Sequence, residues 1–238
     1  ADKLITKLIV RHSSAVMPVS NTLKNGMIEN GLKNHNYVIV NNVVEDFFFQ
    51  PKQTVQRDKK RILHISCFDE KAKNLNGILR SIEKLLTKRT DFELIIIGTG
   101  IDFNQTVEFS KTLNLPKNVV QFLSEKTPQE VSEWFKKSDV FVLFSNYETA
   151  GVVISESLVS GTPVISTKVG IAPEMINELN GKLIEVGDEQ ALTEALDSML
   201  DNLDKYSSLD IQNNVNGVFS YENIGKKIVN VYETCVRS

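Results

Sequence analysis

Residues 139–166 read DVFVLFSNYETAGVVISESLVSGTPVIS. Val140 to Phe144 form an unbroken apolar run, short enough for a strand buried on both faces. A polar loop follows, then a helical stretch at 152–160 that Gly161 stops, then a second strand at 163–166. Strand, helix and strand in this order predict a parallel crossover unit. The same alternation extends in both directions. Strands are expected at 61–66, 92–97, 118–122, 139–144, 163–166 and 182–185, and helices at 75–88, 105–113, 128–137, 152–160 and 189–200. Thr127-Pro128 opens one of these helices as a capping residue followed by a proline. Leu94-Ile95-Ile96-Ile97 is apolar at every position, as a central strand covered by helices on both sides must be. The prediction is an α/β fold: a Rossmann-like, doubly wound, parallel six-stranded sheet.

The first 60 residues do not fit that unit. Residues 1–36 suggest a helix, a strand near 15–19 and a second helix, a remnant of a neighbouring domain. A strand at 37–40 and a linker at 47–60 would make 37–60 the crossover into the main domain, 61–220. A final segment, 221–238, places Ile224, Ile228, Val231 and Tyr232 at helical spacing and is expected to pack back toward the first domain. Because Ala1 opens directly into a helix-like stretch without an initiator methionine, the chain is expected to be cut from something longer.

Composition narrows the function. With 41% hydrophobic and 24% charged residues, the 238-residue chain can build a core. A net charge of −3 carries no basic excess for nucleic acid. No apolar run approaches the roughly 18 residues of a membrane span, and no signal peptide opens the chain. Cys67 and Cys235 form no disulfide or metal spacing, which suits a reducing cytoplasm. His12, His35 and His64 lie far apart without ligand spacing, and His64, mid-strand, reads as a core histidine.

In a doubly wound sheet the chain reverses direction between the first and fourth strands, and ligands bind at the carboxyl ends there. That nominates the loops 66–74 and 145–151. The second leads into a helix whose first N–H groups and dipole attract anions, and Gly151 would let a phosphate approach the backbone. Glu148 and Glu156 lie eight residues apart, roughly 12 Å if helical at about 1.5 Å per residue. The spacing alone is weak, since Glu125 and Glu133 share it without an assigned role. In the first loop a lysine, Lys71 or Lys73, would neutralise a diphosphate leaving group. Gly98-Thr99-Gly100 follows a buried strand, but Phe103 stands where a dinucleotide fingerprint needs its third glycine.

On these residues the chain resembles the carboxyl-terminal domain of retaining glycosyltransferases of the group 1 (family 4) type, which have the GT-B architecture. Glu148 and Glu156 match the two glutamates of the family's motif, Gly161-Thr162-Pro163-Val164 the next segment, and Gly170 with Pro173-Glu174 the last. The resemblance implies that Glu156 holds ribose hydroxyls and Glu148 the donor sugar. Thr149, Ala150, Gly151, Val152 and Val153 would lie near the phosphates, with Gly98 at the nucleotide turn. Leu123 and Ser124 would read the nucleobase edge through their backbone. It also selects Lys73, followed by Asn74, as the phosphate-binding lysine. Implied too are a nucleotide diphosphate sugar donor (uridine or guanosine), no further cofactor, no bound metal, and a sugar or lipid-linked acceptor held by a missing domain. Cell-surface polysaccharide or glycolipid synthesis in a bacterial cytoplasm, with peripheral association at the inner face of the plasma membrane, completes the expectation. The sequence departs from the pattern at Cys67, often arginine in the family, at Thr149-Ala150, usually Gly-Phe, and at Ile171, one of a glycine pair. A non-catalytic GT-B-like partner subunit, a sugar-nucleotide epimerase or hydrolase, and a structural domain with a fortuitous motif stay open.

Overall fold

The computed structural model describes residues 2–52, 57–113, 115, 116 and 118–237. The amino-terminal part holds helices α1 (Asp2–His12) and α2 (Asn21–Glu29). The strands are β1 (Lys60–Ile65), β2 (Phe92–Ile97), β3 (Val120–Leu123), β4 (Val140–Leu143), β5 (Val164–Thr167) and β6 (Gly181–Ile184). Between β1 and β4 run α3 (Glu70–Lys73), α4 (Leu75–Leu86), α5 (Phe103–Thr112) and α6 (Pro128–Lys136). Beyond β4 come α7 (Val152–Val159), α8 (Ala172–Met175), α9 (Glu189–Asp201), α10 (Ser208–Asn214) and α11 (Tyr221–Arg237).

All six strands are parallel, in the order β3-β2-β1-β4-β5-β6. The reversal falls between β1 and β4, as predicted. Successive residues of a strand face opposite sides, and that alternation divides the core in two. Ile62, Leu94, Ile96, Val140 and Val142 pack under α4 and α9, against Ile78, Ile82, Leu192 and Leu196. Leu63, Ile95, Phe141 and Leu143 face the other way, against Phe135, Ile154 and Leu158 of α6 and α7. Burying each of these side chains contributes about 1.5–3 kcal/mol, so both strand faces must be apolar. The Thr127 cap forms a complete capping box with Glu130.

Three expectations change. The strands at 15–19 and 37–40 reduce to one isolated parallel bridge between Val16 and Tyr37. Pro18 accepts from Val40 N but has no N–H to return, so the ladder cannot extend through it. The expected linker begins with a 3-10 turn, Asp46–Phe49, whose Phe48 is fully buried beside Phe135. Phe47, Phe48 and Phe49 thus join the core, and residues 53–56 of the expected linker lie outside the described residues. In the last helix, Ile224 and Val231 are buried and Ile228 half-buried, but Tyr232 is 62% exposed.

Candidate active site

The two nominated loops meet at the carboxyl ends of β1 and β4. The first is not a plain loop. Asp69 caps the single turn α3, and Asn74, at φ 50°, ends it and caps α4 in turn. That kink fixes Lys73 at the end of α3, where its Nζ lies 2.5 Å from Glu148 Oε1. Lys71 is exposed, so the structure separates the two lysines. Ser145 Oγ donates to the same Glu148 oxygen at 2.8 Å, and Ser145 O accepts from Thr167 Oγ1 at 2.7 Å. Asn146 joins the loops, its N donating to Ala72 O (2.8 Å) and its Nδ2 to Lys71 O (2.9 Å). Glu148 and Lys73 are thus held as a preformed, mostly buried pair.

From Glu148 the chain turns into α7. Gly151 caps that helix at φ +75°, a left-handed conformation glycine adopts without strain. Gly170, at φ +54°, comes so near that a Cβ there would lie 2.4 Å from Ala150 O. The turn's N–H groups are its main chemical feature. Among the described residues, the backbone N–H groups of Thr149, Ala150, Gly151, Val152 and Val153 have no acceptor. Ala150 and Gly151 are buried, where unmade hydrogen bonds are costly and rare. Five donors at a helix start form an anion cradle.

Glu156 lies within α7. Only residues 152–156 of the Glu148–Glu156 interval are helical, so the continuous-helix spacing does not apply. Its carboxylate has no hydrogen-bond or ion-pair partner among the described residues, and burial pushes its pKa up to about 7. A half-buried, unpartnered carboxylate can accept from ligand hydroxyls.

Beside this cradle, at the carboxyl ends of β1 to β3, lies a cavity of about 290 Å³. Ser66, Cys67, Gly98, Thr99, Glu125 and Lys126 line it. Buried His64 supports the wall: Nδ1 donates to Val142 O (2.9 Å), leaving Nε2 to accept from Ser66 Oγ (2.7 Å). Burial first, and then the charge of Lys73, lower its pKa to about 4, so the ring stays neutral. Gly98 is where it was expected, with its N donating to Leu123 O at 3.1 Å. Ser124, the residue after Leu123, is exposed. Glu125 and Lys126, the next two residues, line the cavity. Sequence reasoning passed over Glu125 and Lys126; their position just past the end of β3 was the available signal. Cys67, exposed and free, lines the same cavity. Among the described residues, no group of three or more His, Cys, Asp or Glu could hold a metal ion.

Residues 46–214, the sheet together with this crevice, match the family described as Glycosyl transferases, group 1. The chain belongs to that family. Its fold is the Rossmann-like half of a GT-B glycosyltransferase. It is 28% identical over 236 residues to N-acetyl-alpha-D-glucosaminyl L-malate synthase of Bacillus anthracis, covering 94% of this chain. The chain spans 60% of that relative's length. In structure it resembles sucrose-phosphate synthase from Thermosynechococcus elongatus (TM-score 0.85, 19% identity, 99% of this chain and 61% of that one). It also resembles Anabaena HepE in complex with UDP-glucose (TM-score 0.82, 19% identity, 99% and 67%).

Proposed function

We propose that the chain is the donor-binding half of a retaining glycosyltransferase that moves a hexosyl group from a nucleotide diphosphate sugar to a hydroxyl acceptor. One observation carries this reading: five unpartnered N–H groups follow the Lys73–Glu148 pair, in the turn that leads along the chain to the unpartnered carboxylate of Glu156. The N–H groups of Ala150 to Val153 take the diphosphate, and Lys73 shares its charge between Glu148 and the departing phosphate. Preorganised donors of this kind stabilise a leaving group without a metal. Glu156 accepts from the ribose hydroxyls and Glu148 from those of the sugar. The base lies in the cavity between Gly98 and Glu125, beside Leu123 and Ser124. The UDP-glucose named with HepE supports this donor class.

The acceptor is a sugar or lipid-linked hydroxyl held by a part of the protein outside these 238 residues, which bind donor but do not transfer alone. Cell-surface polysaccharide or glycolipid synthesis fits the relatives. One of them, 30% identical over 48% of this chain, is an alpha-monoglucosyldiacylglycerol synthase of Streptococcus pneumoniae. We place the reaction in the cytoplasm, with the full-length protein resting on the inner membrane face; no described helix is long and apolar enough to cross a membrane. A thermal-shift screen of nucleotide sugars tests the donor class: a true donor at 100 times its dissociation constant stabilises the fold by about 2.7 kcal/mol. A screen with no stabilising nucleotide, or sugar transfer by the 238 residues alone, contradicts the reading.

A further inference from the structure

The turn that carries the N–H groups is held from behind by residues far away in sequence. Ser20, fully buried, caps α2 by accepting from Leu23 N at 3.0 Å. The same hydroxyl donates its proton to Thr149 O at 2.9 Å. The next residue, Asn21, grips Glu174: its N donates to Oε1 and its Nδ2 to Oε2, each at 2.7 Å. Glu174 belongs to α8, and Ile171, the residue before α8, donates its N–H to Ala150 O at 2.9 Å.

Two successive carbonyls of the turn are therefore fixed by partners outside it. In a trans peptide the C=O of one residue and the N–H of the next point in opposite directions. Holding Thr149 O on Ser20 turns the Ala150 N–H away from Ser20, and holding Ala150 O on Ile171 does the same for the Gly151 N–H. Neither N–H has a protein acceptor among the described residues. The Asn21–Glu174 grip ties the two supports together, since it joins the start of α2 to α8.

We propose that Ser20, with the Asn21–Glu174 pair behind it, is a positioning clamp that aims the Ala150 and Gly151 amides at the donor diphosphate. This rests on the reading of the turn as a phosphate cradle. Ser20 touches no ligand and acts through the peptide it holds. The clamp therefore governs diphosphate binding and leaves nucleoside recognition by Glu156 and the neighbouring cavity alone.

Calorimetric or NMR titration of the 238-residue chain with UDP and GDP, and with uridine and guanosine, tests it. A lost buried hydrogen bond weakens binding about five- to tenfold. Ser20→Ala is expected to lose that much diphosphate affinity with nucleoside affinity unchanged, and Ser20→Thr, which keeps the hydroxyl, to retain both. Asn21→Ala is expected to show the same selective loss at about two- to threefold. If Ser20→Ala does not fold, Asn21→Ala decides alone, because its contact lies at the exposed surface. Unchanged diphosphate affinity, or equal loss of nucleoside and diphosphate, overturns the clamp while leaving the cradle standing. A wild-type chain that binds neither UDP nor GDP overturns both.

Discussion

The two ends of the strands treat their charged residues in opposite ways. At the amino ends of β1 and β4, Asp139 accepts two bonds from Arg57 (3.0 and 2.9 Å) and one from Arg61 N (2.7 Å). Arg61 pairs with Glu93 and lies over the Trp134 ring. Lys52 Nζ donates to Ser138 O and Thr162 Oγ1. Apart from the buried Arg57 Nε, this network is closed on itself. At the carboxyl ends, five N–H groups and the Glu156 carboxylate are left open. Counting ion pairs would rank the amino edge first. Asking where unpartnered polar groups gather selects the carboxyl edge, because an unmade bond is tolerated where a ligand makes it.

The contrast can be broken at either edge. The largest effect is expected from Asp139→Ala, which strands the Arg57 guanidinium and removes the acceptor of Arg61 N. Urea denaturation is expected to show a loss of about 3 kcal/mol, with nucleotide affinity unchanged. A loss confined to affinity would mean that the two edges are not independent.

Glu156→Gln is expected to act with the opposite sign. The folded pKa of Glu156, about 7, lies above its ordinary 4.5. Between those values the folded chain keeps a proton that the unfolded chain has released, so stability falls as pH rises through that window. Replacing the carboxylate removes the penalty. The variant is expected to be more stable than wild type at pH 8 by on the order of 2 kcal/mol, discounted for partial exposure, and equal to it near pH 4. Melting curves at the two pH values check this. Ribose hydroxyls favour the charged acceptor, so UDP affinity in the wild type should rise about threefold from pH 6 to pH 8 and stay flat in the variant. A pH-independent difference in stability would show that Glu156 is ionised throughout.

Most of the sheet was legible because apolar runs alternate with helices of ordinary length; β5 and β6 are joined instead through the four-residue α8. Thr127 and Gly161 marked boundaries through chemistry that acts locally. The turns α3, α8 and α10 were not legible, because four to seven residues carry too little periodicity to register. Of the site, Glu148, Glu156, Gly151 and Lys73 could be named from the switch point and the motif. Ser20, Asn21 and Glu174 could not be joined in advance, since nothing local links residues more than 150 positions apart. Glu125 was passed over because its spacing to Glu133 carried no meaning, while its place on the cavity wall depends on where β3 ends.

The most direct test of the cradle is an amide NMR titration of the isotopically labelled chain with UDP and with GDP. The largest shifts are expected at the N–H signals of Thr149 to Val153, with Gly98 next and the amino edge around Arg61 and Asp139 silent. Saturable binding that leaves the Thr149–Val153 amides unmoved would show that this turn is not where the diphosphate sits.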